Sequence, residues 1–309
     1  LSKLLDQAYP RARAAGPQIL TRTGINTVDQ LMEIIGGYKV ERIFPLDTRH
    51  EGRTQKNGLH LWYTVHFDKT LSVEQVANQL AQLGEISKVQ YNHEIKRAYT
   101  GKAASLKAEE VELLNKFKDP NVPADLRLQW HYVNDGDNTF MDYMKAGADI
   151  NCKEAWDMCK GDPSIIVAVM DEGVMWSHPD LQGNIWINEN EIYKSDKDND
   201  DNGYVGDVYG VNFSRPQPSG VITWDDPTDT GHGTHVAGTI AAVNDDKGVY
   251  GIAGGTGNND GVKIMSLQIF GGQYQASIMN TVLSPIHISE PTRPRLISYA
   301  VCCWTKNIA

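Results

Sequence analysis

The run GHGTHVAG, Gly231 to Gly238, sets two histidines three residues apart among small residues. Two chemistries fit such a pair. Both rings could ligate a metal, or one could act as a general base while the other packs within a helix. The run lacks the Glu of H-E-x-x-H, and histidines at i, i+3 supply only part of a zinc shell. The second chemistry needs a carboxylate to fix the base's tautomer. One stands upstream in VAVMDEGV, where Asp171 follows an apolar run and Gly173 lets the chain turn. Asp171 could be the carboxylate that balances His232, with a zinc pair as the rival reading, and His235 is expected to pack within the helix.

The elements around these residues must bring them together. SIIVAVM (164–170) is a β-branched run without alternation, which marks a strand buried on both faces of a parallel sheet. VKIMSLQIF (262–270) reads as a second such strand. Asp171 then sits at a strand's carboxyl end, where functional groups of open parallel sheets gather. THVAGTIAA reads as a helix of small residues suited to close burial. His232 at its start would have its protonated form disfavoured by the helix dipole unless a carboxylate balanced it. INCKEAWDMCKG (150–161) reads as a further helix, with Asn151 and Glu154 as a cap pair.

Upstream, residues 1–104 read as a small α+β unit with ferredoxin-like packing. YKVERIFPLD (38–47) and LHLWYTVHFD (59–68) alternate like half-buried strands, and ISKVQYNHEIKRAY like a strand pair. SVEQVANQLAQLG (72–84) is a helix with a Ser72–Gln75 capping box and a Gly84 stop. Another helix covers TVDQLMEIIGG. Residues 105–126 are a charged linker, and residues 127–282 are the α/β part.

Together, VAVMDEGV and HGTHVAGT resemble the aspartate and histidine motifs of the subtilisin-like serine peptidases (subtilases), in the family's chain order. The likeness runs from about Gln129 to Ile269. It implies a partial subtilisin-like α/β parallel-sheet domain, preceded by an inhibitory, chaperone-like propeptide. Asp171 would orient His232, and a serine would attack the peptide carbonyl. Glu172 departs from the family's usual Ser or Thr. The propeptide's end, near Ala98 to Gly101, would occupy the substrate groove until cleavage. The resemblance also implies structural Ca²⁺. Asp180 in SHPDL and the Asp245 side chain would be ligands, with the carbonyls of Val243, Lys247 and Val249, and Gln129 as a further match. SDKDNDDNGYVGDVYG carries Asp196, Asp198, Asp200 and Asn202 at alternate positions. It is not an EF-hand, because Gly203 comes too late, and it is expected to form a second Ca²⁺ site.

The family's G-T-S-x-A serine and its oxyanion-hole asparagine have no match. Ser266 lies inside a strand, and Ser277, Ser284, Ser289 and Ser298 lack the motif. Ser277 falls in GGQYQASIMNTV, which resembles the family's next helix. Residues 283–309 show no useful periodicity and resemble a translated sequencing adapter. The chain therefore reads as a truncated peptidase precursor, itself inactive, acting in its complete form on peptide or protein substrates. A calcium-binding pseudo-protease and a propeptide-type inhibitor are the rival classes.

Composition narrows the partners. A net charge of −10 argues against a nucleic-acid or anionic-membrane surface. The longest apolar run, Ile165 to Met170, is strand-length, so no membrane span is expected. No signal peptide is visible, and a secreted or cell-envelope location rests on the family resemblance. Cys152 and Cys159, seven residues apart on one helix, are too distant for a disulfide and are expected to be free and partly buried.

Overall fold

A computed structural model describes residues 19–20, 22–44, 51–95, 126–138, 142–202, 204–215, 218–271, 276–277 and 297–299. Nearly all of the expected linker, the Ala98–Gly101 segment and most of 283–309 lie outside those residues. The chain divides into two compact units, Leu1–His93 and Glu94–Ala309.

The first unit contains β1 (Ile19–Leu20), α1 (Asn26–Ile34), β2 (Lys39–Arg42), α2 (Glu51–Lys56), β3 (Tyr63–His66) and α3 (Val73–Ala81). Its strands form an antiparallel sheet in the order β1-β2-β3. Both expected helices are present, and the expected strands are shorter than read: β2 lies within 38–47 and β3 within 59–68, where Leu59–Leu61 is a 3-10 turn instead. In α1, Val28, Leu31 and Met32 fall at i, i+3 and i+4 and pack with Val76 and Leu80 of α3. The Ser72 side chain accepts from the Gln75 N–H and starts α3. The expected strand pair after Gly84 is not formed as written. Residues 86–93 carry no strand, because Ile86 and Val89, three apart, both cover the core while their neighbours face solvent.

The second unit contains β4 (Glu94–Ile95), α4 (Cys152–Met158), β5 (Ile166–Asp171), β6 (Gly210–Asn212), α5 (His232–Ala241), β7 (Lys263–Gln268), β8 (Ala276–Ser277) and β9 (Ile297–Tyr299). Its main sheet is parallel, in the order β6-β7-β5-β9. The unalternating runs are explained by burial on both faces. Val167, Val169 and Ile264 pack against Ala237 and Ala241 of α5 on one face. Ala168, Met265 and Leu267 pack with Val211 and Phe213 on the other. Ala237 and Ala241 are fully buried, so the small residues of α5 let the helix lie close to the sheet.

Three local expectations are corrected. Asn151 adopts φ 60°, and its N–H donates to Asp149 Oδ1, so it does not cap α4 with its side chain; a side-chain N-cap needs extended backbone. Both thiols are free, but Cys152 is buried whereas Cys159 is exposed. Ala276–Ser277 is not helical: it forms β8, paired antiparallel with β4. Within the stretch set aside as adapter-like, Ile297–Tyr299 forms β9, in parallel register with Val167–Val169.

Candidate active site

Asp171 is the last residue of β5, and His232 is the first of α5. The sheet and the helix packed on it bring Asp171 Oδ2 to 2.7 Å from His232 Nδ1. The Asp171 side chain is 12% exposed and the imidazole 50% exposed. A buried acceptor thus holds one ring nitrogen while the ring itself faces outward. Burial raises the Asp171 carboxyl above the ordinary 3.8, opposed by a hydrogen bond from the Glu172 N–H and by His232. The N–H of Glu172 donates to Asp171 Oδ1 at 2.7 Å, so both carboxylate oxygens are engaged.

Two glycines make the approach possible. At Gly173 an added Cβ would lie 1.8 Å from the Thr223 carbonyl oxygen, and at Gly233 it would lie 2.2 Å from that of Glu172. The turn leaving β5 and the first turn of α5 are therefore in backbone contact.

His235 is not packed; it is exposed on α5. Ser266 is also settled by its surroundings. It is 2% exposed within β7, and its Oγ accepts from the Val174 N–H at 3.2 Å. Ser284 and Ser289 lie outside the described residues. Among the described residues, no serine hydrogen-bonds to His232.

The acidic segments gather in two places. Glu191, Asp198 and Asp200 each bring a carboxylate oxygen within 4.8 Å of the others'. Glu191 accepts from the N–H groups of Asn199, Asp200 and Gly206, which folds the loop around it. Asp207 lies behind, accepting from Asn202 and Asn188. Burial, with Asp200 and Glu191 nearby, pushes its carboxyl up to about 7. Crowded carboxylates of this kind form an oxygen-only donor set that fits Ca²⁺. The sequence reading named Asp198 and Asp200 but missed Glu191 and Asp207. Asp196 is exposed and stands outside the group.

The second place surrounds Asp180. Its carboxylate accepts from the Val249 N–H at 3.0 Å, and its backbone carbonyl accepts from the Val243 N–H at 2.7 Å. Burial raises its pKa, and Asp245 adds to the rise. Asp245 Oδ1 accepts from the Lys247 N–H. The loop 243–249 is thus wrapped against Asp180. The Gln129 side chain binds both backbone groups of Tyr250, which ties the loop to the segment at 126–129.

Comparison with known proteins agrees with the motif resemblance. Residues 162–303 match the subtilase family of peptidases. That match continues into the stretch set aside as adapter-like. Subtilisin-like protease 1 of Plasmodium berghei is 42% identical over 88 residues, covering 28% of this chain and 14% of that protein. Fervidolysin of Fervidobacterium pennivorans is 36% identical over 118 residues, 38% of this chain and 13% of that protein. PC3-like endoprotease variant B of Hydra vulgaris is 29% identical over 168 residues, 54% of this chain and 19% of that protein. The chain spans less than a fifth of the length of each of these relatives.

Proposed function

We infer that this chain, with its subtilase region at residues 162–303, is part of the precursor of a serine endopeptidase. One observation carries the reading: Asp171 and His232 meet at 2.7 Å where a parallel strand ends and a helix begins. Asp171 accepts the Nδ1–H of His232 and fixes the tautomer that leaves Nε2 basic. In the complete enzyme, Nε2 takes the proton of a serine hydroxyl as that oxygen attacks the peptide carbonyl, then delivers it to the leaving amine. The chain holds no G-T-S-x-A serine, so the nucleophile is read as lying outside these 309 residues and the chain itself as inactive.

Residues 1–104 act as the propeptide. The pairing of β4 with β8, a separate two-stranded ladder just before the segment expected in the groove, is consistent with this. Ca²⁺ would be held by Glu191, Asp198 and Asp200, with Asp207 behind them, and by Asp180, Asp245 and the loop 243–249. Its contribution is structural, stiffening loops beside the sheet. Among the described residues no helix is long and apolar enough to cross a membrane. The site of action is secreted or cell-envelope, a placement that rests on the family.

A fluorophosphonate probe tests the reading. It should label the product of the complete gene, lose that labelling in His232→Ala, and leave the 309-residue chain unlabelled. Labelling of the 309-residue chain would show that the nucleophile has been misplaced. A complete gene without a G-T-S-x-A motif would favour the calcium-binding pseudo-protease instead.

A further inference from the structure

Glu172 stands where the subtilase motif usually has Ser or Thr. The structure gives it a set of contacts unlike those of a surface residue. It is 1% exposed, directly after Asp171. Its Oε2 accepts from the Thr230 N–H at 2.8 Å and from the His232 N–H at 3.2 Å. The Thr230 hydroxyl lies 3.2 and 3.1 Å from the two carboxylate oxygens.

The start of α5 shows why these contacts matter. The N-terminal N–H groups of a helix have no partner within it, and the N-cap side chain usually supplies one. Here the N-cap is Gly231, at φ 79° and ψ 9°, with no side chain to give. Glu172 supplies an oxygen from another element, to the N–H of His232, the first residue of the helix. Its charge is also favourably placed against the positive end of the helix dipole.

One residue therefore grips both members of the pair. Through its own N–H, Glu172 holds Asp171 Oδ1. Through its carboxylate, it holds the backbone of His232. Its carbonyl oxygen forms the surface on which Gly233 rests. We propose that Glu172 is a positioning residue for the Asp171–His232 pair, holding the first N–H of α5 where Gly231 has no side chain to offer. The proposal rests on the peptidase reading for its catalytic meaning. It touches neither substrate nor the reacting nitrogen.

Length and acceptor capacity then decide which replacements work. Gln keeps the reach and one acceptor oxygen. Asp keeps the charge but is shorter by one methylene, about 1.5 Å, and falls short of the His232 N–H. The test uses long-range proton–nitrogen NMR of the 309-residue chain in alkaline buffer to read which nitrogen of His232 carries the proton. A role confined to stability would lower the unfolding temperature without moving this tautomer in the folded protein. Wild type should be mainly the Nδ1–H form. E172Q should keep it, and E172D should lose it several-fold toward Nε2–H, with circular dichroism unchanged. E172A serves in its place if E172D does not fold. A folded E172D or E172A with the wild-type tautomer would overturn the proposal. Nε2–H in the wild type would instead sink the Asp171–His232 pairing, and with it the peptidase reading.

Discussion

Two glycines of the same helix should respond oppositely to the same substitution. Ala is favoured over Gly within a helix by about 0.5–1 kcal/mol. At Gly238 an added Cβ meets nothing within 4 Å, so Gly238→Ala should keep that gain. At Gly233 the added Cβ would lie 2.2 Å from the Glu172 carbonyl oxygen and 2.9 Å from its carbon. Both atoms are backbone, held between β5 and α5, and cannot swing aside. The 2.2 Å separation falls well inside the 3.0 Å that real Cβ atoms essentially never breach, so the helix start must retreat. Overpacking of this kind costs about 1–3 kcal/mol, which outweighs the helix gain. Gly233→Ala should therefore be less stable by up to about 2 kcal/mol, and its melting temperature should fall by about 2–4 °C per kcal/mol. Relief moves α5 away from the end of β5 and stretches the 2.7 Å Asp171–His232 contact. In the complete enzyme, a misplacement near 1 Å is expected to lower kcat by about 100-fold. Calorimetry of wild type and the two variants is the assay. A Gly233→Ala chain that melts at or above wild type would refute the reasoning. So would a Gly238→Ala chain that falls as far as Gly233→Ala.

Other consequences are open to measurement. Calcium at about one hundred times its dissociation constant should stabilise the second unit by about 2.7 kcal/mol per occupied site. Chelation should reverse the gain and Glu191→Gln should diminish it, whereas absence of any calcium-dependent shift in the melting temperature would count against both loop sites. Burial raises the Asp171 pKa above 3.8, so this group's stabilisation is complete below 3.8 and lost as pH rises through the folded value. A carboxyl-carbon NMR titration should give a midpoint above 3.8, and a midpoint at or below it would show that the hydrogen bonds outweigh burial. Asn184 is fully buried, and its Nδ2 donates to the Ala241 and Gly254 carbonyls at 3.0 Å each. Asn184→Ala orphans the Ala241 carbonyl and leaves that of Gly254 with the Asn244 N–H at 3.4 Å, so it should lower the unfolding free energy by about 1–3 kcal/mol, read by denaturant titration; a loss below about 1 kcal/mol would show that another donor replaces it.

What could be read in advance followed from how far each signal reaches along the chain. β5 and β7 were legible because burial on both faces leaves an unbroken apolar run. α5 was legible because close packing on a sheet leaves small residues at helical spacing. β6 escaped notice, since Gly210–Asn212 is too short to establish any period. The strand pair after Gly84 failed for a related reason. Its apparent alternation came from exposed positions, and only Ile86 and Val89 contact the core. Asn151 and Glu154 matched the letters of a cap, but the left-handed backbone at Asn151 gave the turn another hydrogen bond.

The site divides along the same line. Asp171 and His232 each sit in a short motif attached to a legible element, so two local readings sufficed to pair them. Glu191 lies outside the Asp-rich run and reaches Asp198 and Asp200 only when its carboxylate gathers three backbone N–H groups of the intervening loop. Asp196 has the alternate spacing but not the fold, and stays outside. Spacing within a loop thus says which oxygens are available, while the hydrogen bonds that fold the loop decide which of them converge. Glu172 shows the complementary case. Its partners at Thr230 and His232 are distant in sequence, and Gly231 conceals the need for a cap because glycine is itself acceptable at that position. A helix that starts on glycine beside a buried strand end should therefore be searched for an acceptor from the strand. Here that search leads to the residue following the aspartate, where the one departure from the family motif holds the histidine in place.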